Sequence, residues 1–352
     1  MSEQRRRIET RDDAPRDAGD AGDVWNSWVL PDHRVVFVNV AKNASTSLKW
    51  LMAELTGKDP QRFHQVMNLA PTRQQTIHRK SAWSGVDSLV SVDPELRAQI
   101  SPENGWFVFA VVRDPRLRVW SAWQSKFLIG NPRHSFDKFR DAPWLPRVPG
   151  STQDVVEDFA AFVRLLDSPQ GSRVFGDVHF RPQVSLLNED TVPYSHLYQT
   201  SEIPKLLTDL GAHVGEQGHR GEIGPLAREN ETPLPVAGRL FPTEVRETLD
   251  RLYADDLARF GHLWDFDTVL AKDPEWSADA FKDIAARVAT GQRLADIALA
   301  GRQVRRERAA TDEEIRQLRG RVAELEAALE RRTVRGASRA AADRLRSVWG
   351  RR

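Results

Sequence analysis

The stretch Arg34-Val35-Val36-Phe37-Val38-Asn39-Val40-Ala41-Lys42-Asn43-Ala44-Ser45-Thr46-Ser47-Leu48 decides how this chain folds. Its β-branched, apolar run reads as a buried strand. The run stops at Lys42, small hydroxyl residues follow, and Leu48, Leu51, Met52 and Leu55 then recur at helical spacing. A strand that turns tightly into a helix leaves several backbone N–H groups unpaired and converging, and the helix dipole adds to their pull on an anion. Lys42 contributes a point charge; Ser45, Thr46 and Ser47 contribute donors. The segment therefore predicts a site for a phosphate-like group. It is not a Walker A loop, which needs G-x-x-x-x-G-K-[ST]. Here the lysine comes before the turn, and the turn has no glycine. Taken by itself, the same segment reads equally well as a plain strand–turn–helix with a Ser/Thr N-cap.

A second segment tips the balance. Trp106-Phe107-Val108-Phe109-Ala110-Val111-Val112 is another buried-strand run, ending in Arg113-Asp114-Pro115. Asp114 suits an N-cap and Pro115 a first helical position. Arg113 then sits where a strand leaves the sheet, and Ser121 lies about two turns into the helix at 3.6 residues per turn. In open α/β sheets, ligands bind outside the carboxyl ends of the strands. Lys42 and Arg113 can thus face one polyanion from two sides. The competing reading pairs Arg113 with Asp114 and leaves Lys42 as a solvated strand-end lysine.

These motifs, in this order, resemble the sulfotransferases that use 3'-phosphoadenosine-5'-phosphosulfate (PAPS), and most closely their carbohydrate branch of HNK-1 and chondroitin/dermatan type. The segment from Val40 to Leu48 is similar to that family's 5'-phosphosulfate loop. Val112-Arg113-Asp114-Pro115 with Arg118, Ser121, Ala122 and Lys126-Phe127 is similar to its 3'-phosphate motif. Asp177-Val178-His179-Phe180-Arg181-Pro182-Gln183, Asn230-Glu231-Thr232 and Leu252-Tyr253-Ala254-Asp255-Asp256 with Phe260-Gly261 resemble later family segments. The likeness runs over residues 34–264. It implies a P-loop-like α/β fold, a three-layer parallel sheet with flanking helices. It also implies PAPS as co-substrate without a metal, and a hydroxyl acceptor on a glycan or glycosylated compound. By the resemblance Lys42, Asn43, Ala44, Ser45, Thr46 and Ser47 would hold the phosphosulfate, and Arg113 and Ser121 the 3'-phosphate. Two departures stand out: Ala41 replaces the usual Pro, and the cysteines of secretory-pathway members are missing.

Sulfuryl transfer asks for a cation at the leaving oxygen and a base for the acceptor hydroxyl. Lys42 fits the first role by position. For the base, His78 in Thr76-Ile77-His78-Arg79-Lys80 is the first candidate and His179 the second, because imidazole titrates near neutral pH; Glu54 is a further carboxylate option. Two other classes stay open. A P-loop kinase-like phosphotransferase would need an acidic strand end where Arg113 stands. A non-catalytic scaffold would act through the tail.

Composition narrows the rest. The net charge is +1, from 51 basic and 50 acidic residues, so no basic field points to nucleic acid. With no cysteine there is neither a disulfide nor a thiolate metal site, and the nine histidines show no H-E-x-x-H spacing. Residues 1–23 mix Arg and Asp without an apolar core. They read as a disordered leader, neither signal peptide nor membrane span, which gives cytoplasmic as the expected location. Abundant Arg and Ala suggest a GC-rich bacterial genome.

The expected organisation is a sulfotransferase domain over residues 24–272, a helical or coiled-coil segment over 273–333, and a basic tail over 334–352. Within the domain, residues 128–151 read as a long surface loop. Its Arg133, Trp144 and Arg147, with Trp123, are candidates for an acceptor groove. Val155, Phe159, Phe162, Val163 and Leu166 mark a helix, residues 194–199 a strand and 202–210 a helix. Val245, Leu249, Leu252, Leu257 and Phe260 mark one more helical stripe. In the tail, Ile315, Leu318, Val322, Leu325 and Leu329 are spaced three, four, three and four apart, an a/d seam about two heptads long. It predicts a homo-oligomer, against the alternative of one amphipathic helix folded back on the domain. Beyond it, eight Arg against one Asp, with Leu345, Val348 and Trp349, suit either an anionic membrane surface or a disordered tail.

Overall fold

The computed structural model describes residues 26–58, 63, 76–78, 80–227 and 231–349. The expected leader at residues 1–23, His64 and Asn230 lie outside them. The chain enters a four-stranded sheet at β1 (Ser27–Leu30) and turns back as β2 (Val35–Val38). It returns in β3 (Phe107–Val112) and β4 (His196–Gln199). The strand order is β1-β2-β3-β4. β2, β3 and β4 run parallel, while β1 is antiparallel to β2. The expected parallel sheet thus carries one antiparallel edge. Its cause is the short connection: only Pro31–His33 and Arg34, the latter left-handed at φ 47°, separate the two strands. A turn that tight can join only antiparallel neighbours.

Along the chain the helices are α1 (Ser45–Leu55), α2 (Pro115–Trp123), α3 (Thr152–Leu166), α4 (Gln183–Leu187) and α5 (Ile203–Glu216). α6 (Thr243–Leu252), α7 (Ala254–Phe260) and α8 (Ala278–Trp349) complete the set used below. Alternation of side chains along the strands builds three layers. Val35, Phe37, Phe107, Phe109 and Val111 meet Leu48, Leu51 and Met52 of α1 and Leu206 and Leu210 of α5. Val36, Val38, Val108, Ala110 and Val112 meet Val92, Ile100, Leu187 and Phe260 on the other face. A third core gathers Trp120 and Trp123 of α2, Phe159 and Phe162 of α3, Val245 and Leu249 of α6, and Phe127 and Phe180.

Several boundaries differ from the sequence reading. Residues 128–151 are no plain surface loop. Pro132–Lys138 is helical, and Trp144 packs on Phe127, ring centroids 5.0 Å apart. α5 runs on to Glu216, past the expected end at 210. The stripe from Val245 to Phe260 is two helices, broken at Tyr253, whose hydroxyl bonds to the Phe180 carbonyl. The core does not close at residue 272. Trp276 and Ile284 belong to it, and the Trp276 indole donates to Pro235 O at 3.1 Å.

The described chain falls into two compact units, one reaching Arg293 and one beginning at Leu294. α8 is unbroken through residues 333 and 334, where the sequence reading starts a separate tail, and the basic end is helical to Trp349. Among the described residues no helix is long and apolar enough to cross a membrane.

Candidate active site

Parallel pairing sets β2 and β3 side by side, Val38 opposite Ala110, so both strands end on the same rim of the sheet. On that rim the turn after β2 is strained. Lys42 and Ala44 are left-handed, with φ 75° and 56°, and neither is glycine. Such residues cost about 1–3 kcal/mol each and concentrate at ligand sites. Ala44, not a serine or threonine, is the N-cap of α1, and it offers no side-chain acceptor. The N-cap side chain therefore gives nothing to the first turn of α1, at the positive end of the helix. This overturns the plain N-cap reading and leaves a cradle suited to an anion.

Each loop side chain has a definite place. Lys42 Nζ donates to Ser125 Oγ at 2.9 Å. Burial, then the neighbouring Lys126, Arg113 and Arg118 charges, push its pKa well below the ordinary lysine value. Lys42 is thus no solvated lysine. Asn43 is buried and ties the loop to its neighbours, donating to Val111 O at 2.8 Å and Gln183 Oε1 at 2.7 Å. Ser47 Oγ donates to Ala227 O at 2.8 Å. Thr46 Oγ1 lies 3.5 Å from His78 Nε2.

At the end of β3, Asp114 caps α2 by accepting from the Arg116 amide, with Pro115 next. Its carboxylate is gripped by the Arg116 guanidinium at 3.0 and 2.8 Å. Arg113 is left to the other strand end, Nη1 lying 3.4 Å from Lys42 O. Burial, opposed by Asp114, brings its pKa down to about 10, still cationic at neutral pH. Ser121 is buried on α2, and its hydroxyl makes no hydrogen bond to Arg113.

Two positioning residues hold these strand ends together. Arg118, fully buried, gives its guanidinium to three carbonyls: Ala41 at 3.0 Å, Arg181 at 2.8 Å and Val178 at 2.8 Å. Gln183, at the start of α4, accepts from Asn43 and from the Arg113 amide at 3.0 Å, and donates to Arg113 O at 2.8 Å. Asp256 of α7 in turn accepts from the Gln183 amide and the Val184 amide, both at 2.9 Å. Neither Gln183 nor Asp256 was foreseen as a site residue.

Further cations crowd the same place. Lys49 is buried on α1, with Nζ 3.1 Å from His78 Nδ1 and 4.8 Å from the centre of the Trp28 ring. Burial and then Lys126 bring its pKa to about 7. Lys126 falls to about 8, by burial partly offset by Asp177. Among the described residues no carboxylate forms an ion pair with Lys42, Lys49 or Lys126. For His78, dehydration in the cleft and then Lys49 and Lys126 push the pKa well below the usual imidazole value, although the residue keeps an exposed surface.

His179 is held differently. Its Nδ1 lies 2.6 Å from Asp177 Oδ1, which fixes Nδ1 as the protonated nitrogen and Nε2 as the basic one. Burial and Lys126 outweigh Asp177 and hold the ring neutral, well below its ordinary pKa. Burial alone would raise the Asp177 carboxyl, yet His134 and His179 overcome it and keep the group ionised. Lys138 also binds this carboxylate, at 2.8 Å. His134, Asp177 and His179 converge closely enough for a metal. The Lys138 ammonium already occupies this carboxylate, and the Lys126 charge acts on the same group from further off.

Three of the four acceptor-groove candidates are elsewhere in role. Trp123 is wholly buried, Trp144 packs in the third core, and Arg147 is spent on Asp154, Glu157 and Asp158 at 2.8–3.1 Å.

A rim of convergent cations beside a helix start, where two parallel strands end, defines an α/β protein with a site suited to a polyanion. The chain belongs to the sulfotransferase family, whose family model matches residues 25–262. It is 26% identical over 243 residues to carbohydrate sulfotransferase 10 of Danio rerio, which covers 64% of this chain and 62% of that protein. No solved structure matches it. The family sets aside the kinase-like alternative, which the arginine at the end of β3 already disfavours.

Proposed function

We propose that the protein transfers the sulfuryl group of PAPS to a hydroxyl of a carbohydrate or glycosylated acceptor. The observation that carries this reading is the set of desolvated lysines, Lys42, Lys49 and Lys126, which among the described residues have no ion-paired carboxylate, beside a helix start whose N-cap residue offers no side-chain cap. Buried charges need compensation, and here a bound polyanion supplies it. The residues fit the nucleotide's two phosphate ends. The amides of Ser45 to Ser47 and Lys42 would hold the phosphosulfate, and Arg113, with Ser121 on the next element, the 3'-phosphate. PAPS, when bound, supplies the activated sulfuryl group.

The chain's own residues supply the rest. Lys42 holds positive charge where the leaving phosphate gains negative charge, so its effect grows in the transition state. For the base, the neutral His179 with Nδ1 anchored on Asp177 is favoured over His78. Its free nitrogen is oriented to take the acceptor proton, and the resulting imidazolium is stabilised by the same carboxylate. His78 faces Lys49 through one nitrogen and Thr46 through the other, an arrangement suited to orienting those groups.

Calorimetry with 3'-phosphoadenosine 5'-phosphate and with 5'-AMP tests the binding half. The 3'-phosphate compound should bind at least tenfold tighter, and Arg113→Ala should erase that difference, since loss of a buried charge-assisted pair costs about 2–5 kcal/mol. Equal affinities would defeat the reading. For the chemistry, His179→Ala and Asp177→Asn should lower turnover at least a hundredfold with nucleotide affinity nearly kept. Wild-type rates in His179→Ala, with loss in His78→Ala, would move the base to His78.

A further inference from the structure

The second unit of the chain carries a surface that the enzyme site does not use. Ile315, Leu318, Val322, Leu325 and Leu329 lie along one stripe of α8, and all five are exposed, from 41% to 68%. Helices draw most of their stability from burying such a stripe. The repeat is also longer than its apolar part. Counting back by fours and threes from Ile315 gives Thr311, Arg308, Val304, Gly301, Ile297 and Leu294 in one unbroken heptad register. In this register Ile315, Val322 and Leu329 are a positions, and Leu318 and Leu325 are d positions.

Three features choose the partner. β-branched residues at a (Ile315, Val322) with leucine at d favour two parallel strands. Next come the flanking charges. In a parallel, in-register pair each g residue meets the e residue five places on in the other helix. Glu314 then meets Arg319 of the second copy, and Arg321 meets Glu326, each pair occurring twice by symmetry. Finally, Arg308 occupies an a position upstream, where a single polar residue fixes register and strand number at some loss of stability.

We propose that α8 pairs with a second copy of this chain as a parallel, in-register, two-stranded coiled coil centred on residues 315–329. The occupant of the stripe is a second copy because, across residues 314–326, the e and g charges complement their own sequence.

Light scattering and cysteine cross-linking test this on the full-length protein, which has no cysteine of its own. At micromolar concentration the wild type should show twice the chain mass, and the Leu318→Asp/Leu325→Asp double variant half of that, with nucleotide binding kept and helicity lowered. Leu318→Cys and Leu329→Cys, made singly, should each give a covalent dimer on mild oxidation. Glu314→Arg should weaken the dimer at least tenfold, and Arg319→Glu added to it should restore it. A monomeric wild type overturns the proposal. Cross-linking at only one of the two positions overturns the parallel register, and a mass of three or four chains overturns the two-stranded state.

Discussion

Lys49 shows at the scale of one residue what the site is built for. A lysine pushed from 10.5 to about 7 is destabilised in its charged form by burial, and an anion beside it reverses that. Lys126, at about 8, stands in the same position. Nucleotide binding should therefore take up protons near pH 8, and affinity should fall as pH rises from about 7 to about 9. The decline can reach tenfold per unit for each linked proton. The apo fold should show the opposite trend. Its lysine pKa lies below the unfolded value, so the unfolded chain binds more protons between about 7 and 10.5. The penalty is full below that window and lifts as pH rises through it, so the lysines push the apo thermal midpoint upward. Calorimetry in buffers of different ionisation enthalpy reads the uptake directly. An affinity flat from pH 7 to 9 would mean that these lysines do not meet the anion.

Among the elements, the turn between β2 and α1 concentrates both the strain and the function. Ala44 at φ 56° stays there because Asn43, Arg118 and Gln183 pin the backbone around it. Ala44→Gly should leave the fold at least as stable as the wild type, because glycine enters this region freely. Ala44→Val should cost about 2 kcal/mol in urea unfolding, as a branched side chain resists it. Equal stability of the two would show that the turn is not held as described. Much of this element was legible in the sequence. The apolar runs ending before Lys42 and Arg113 gave two strand ends, and Asp114-Pro115 gave a capped helix start. What stayed hidden was whatever depends on distance along the chain. Asp256 and Gln183 are 73 residues apart and meet only because α7 packs against α4. Lys49 left one faint signal, a charge at the edge of the Leu48, Leu51, Met52 and Leu55 face of α1. Asp177 lay two residues from His179 in plain sight, but only the closed turn brings its carboxylate onto Nδ1.

At the scale of the whole molecule, the question is where the catalytic unit ends. Periodicity and composition change near residue 273, yet the packing carries the core onward. Ile284 is completely buried and Trp276 is 7% exposed, stacked on Trp120 with centroids 6.0 Å apart. Gly291 meets the Gly130 carbonyl so closely that a Cβ there would lie 2.1 Å away. Composition missed this because α8 is one continuous helix whose first turns face a core while its later turns carry a different repeat. Losing a buried Trp costs about 3–5 kcal/mol and a buried Ile about 2–5 kcal/mol. Their sum is comparable with the whole stability of a typical domain, about 5–15 kcal/mol. A chain ending at residue 272 should therefore unfold far below the full-length protein and bind 3'-phosphoadenosine 5'-phosphate poorly. A chain ending at Arg293 should keep both the thermal transition and the affinity, while losing the second unit and its heptads. Paired melting curves and titrations of the two truncations decide the matter. If the shorter chain binds and melts like the longer one, Trp276 and Ile284 only decorate a core that is complete without them.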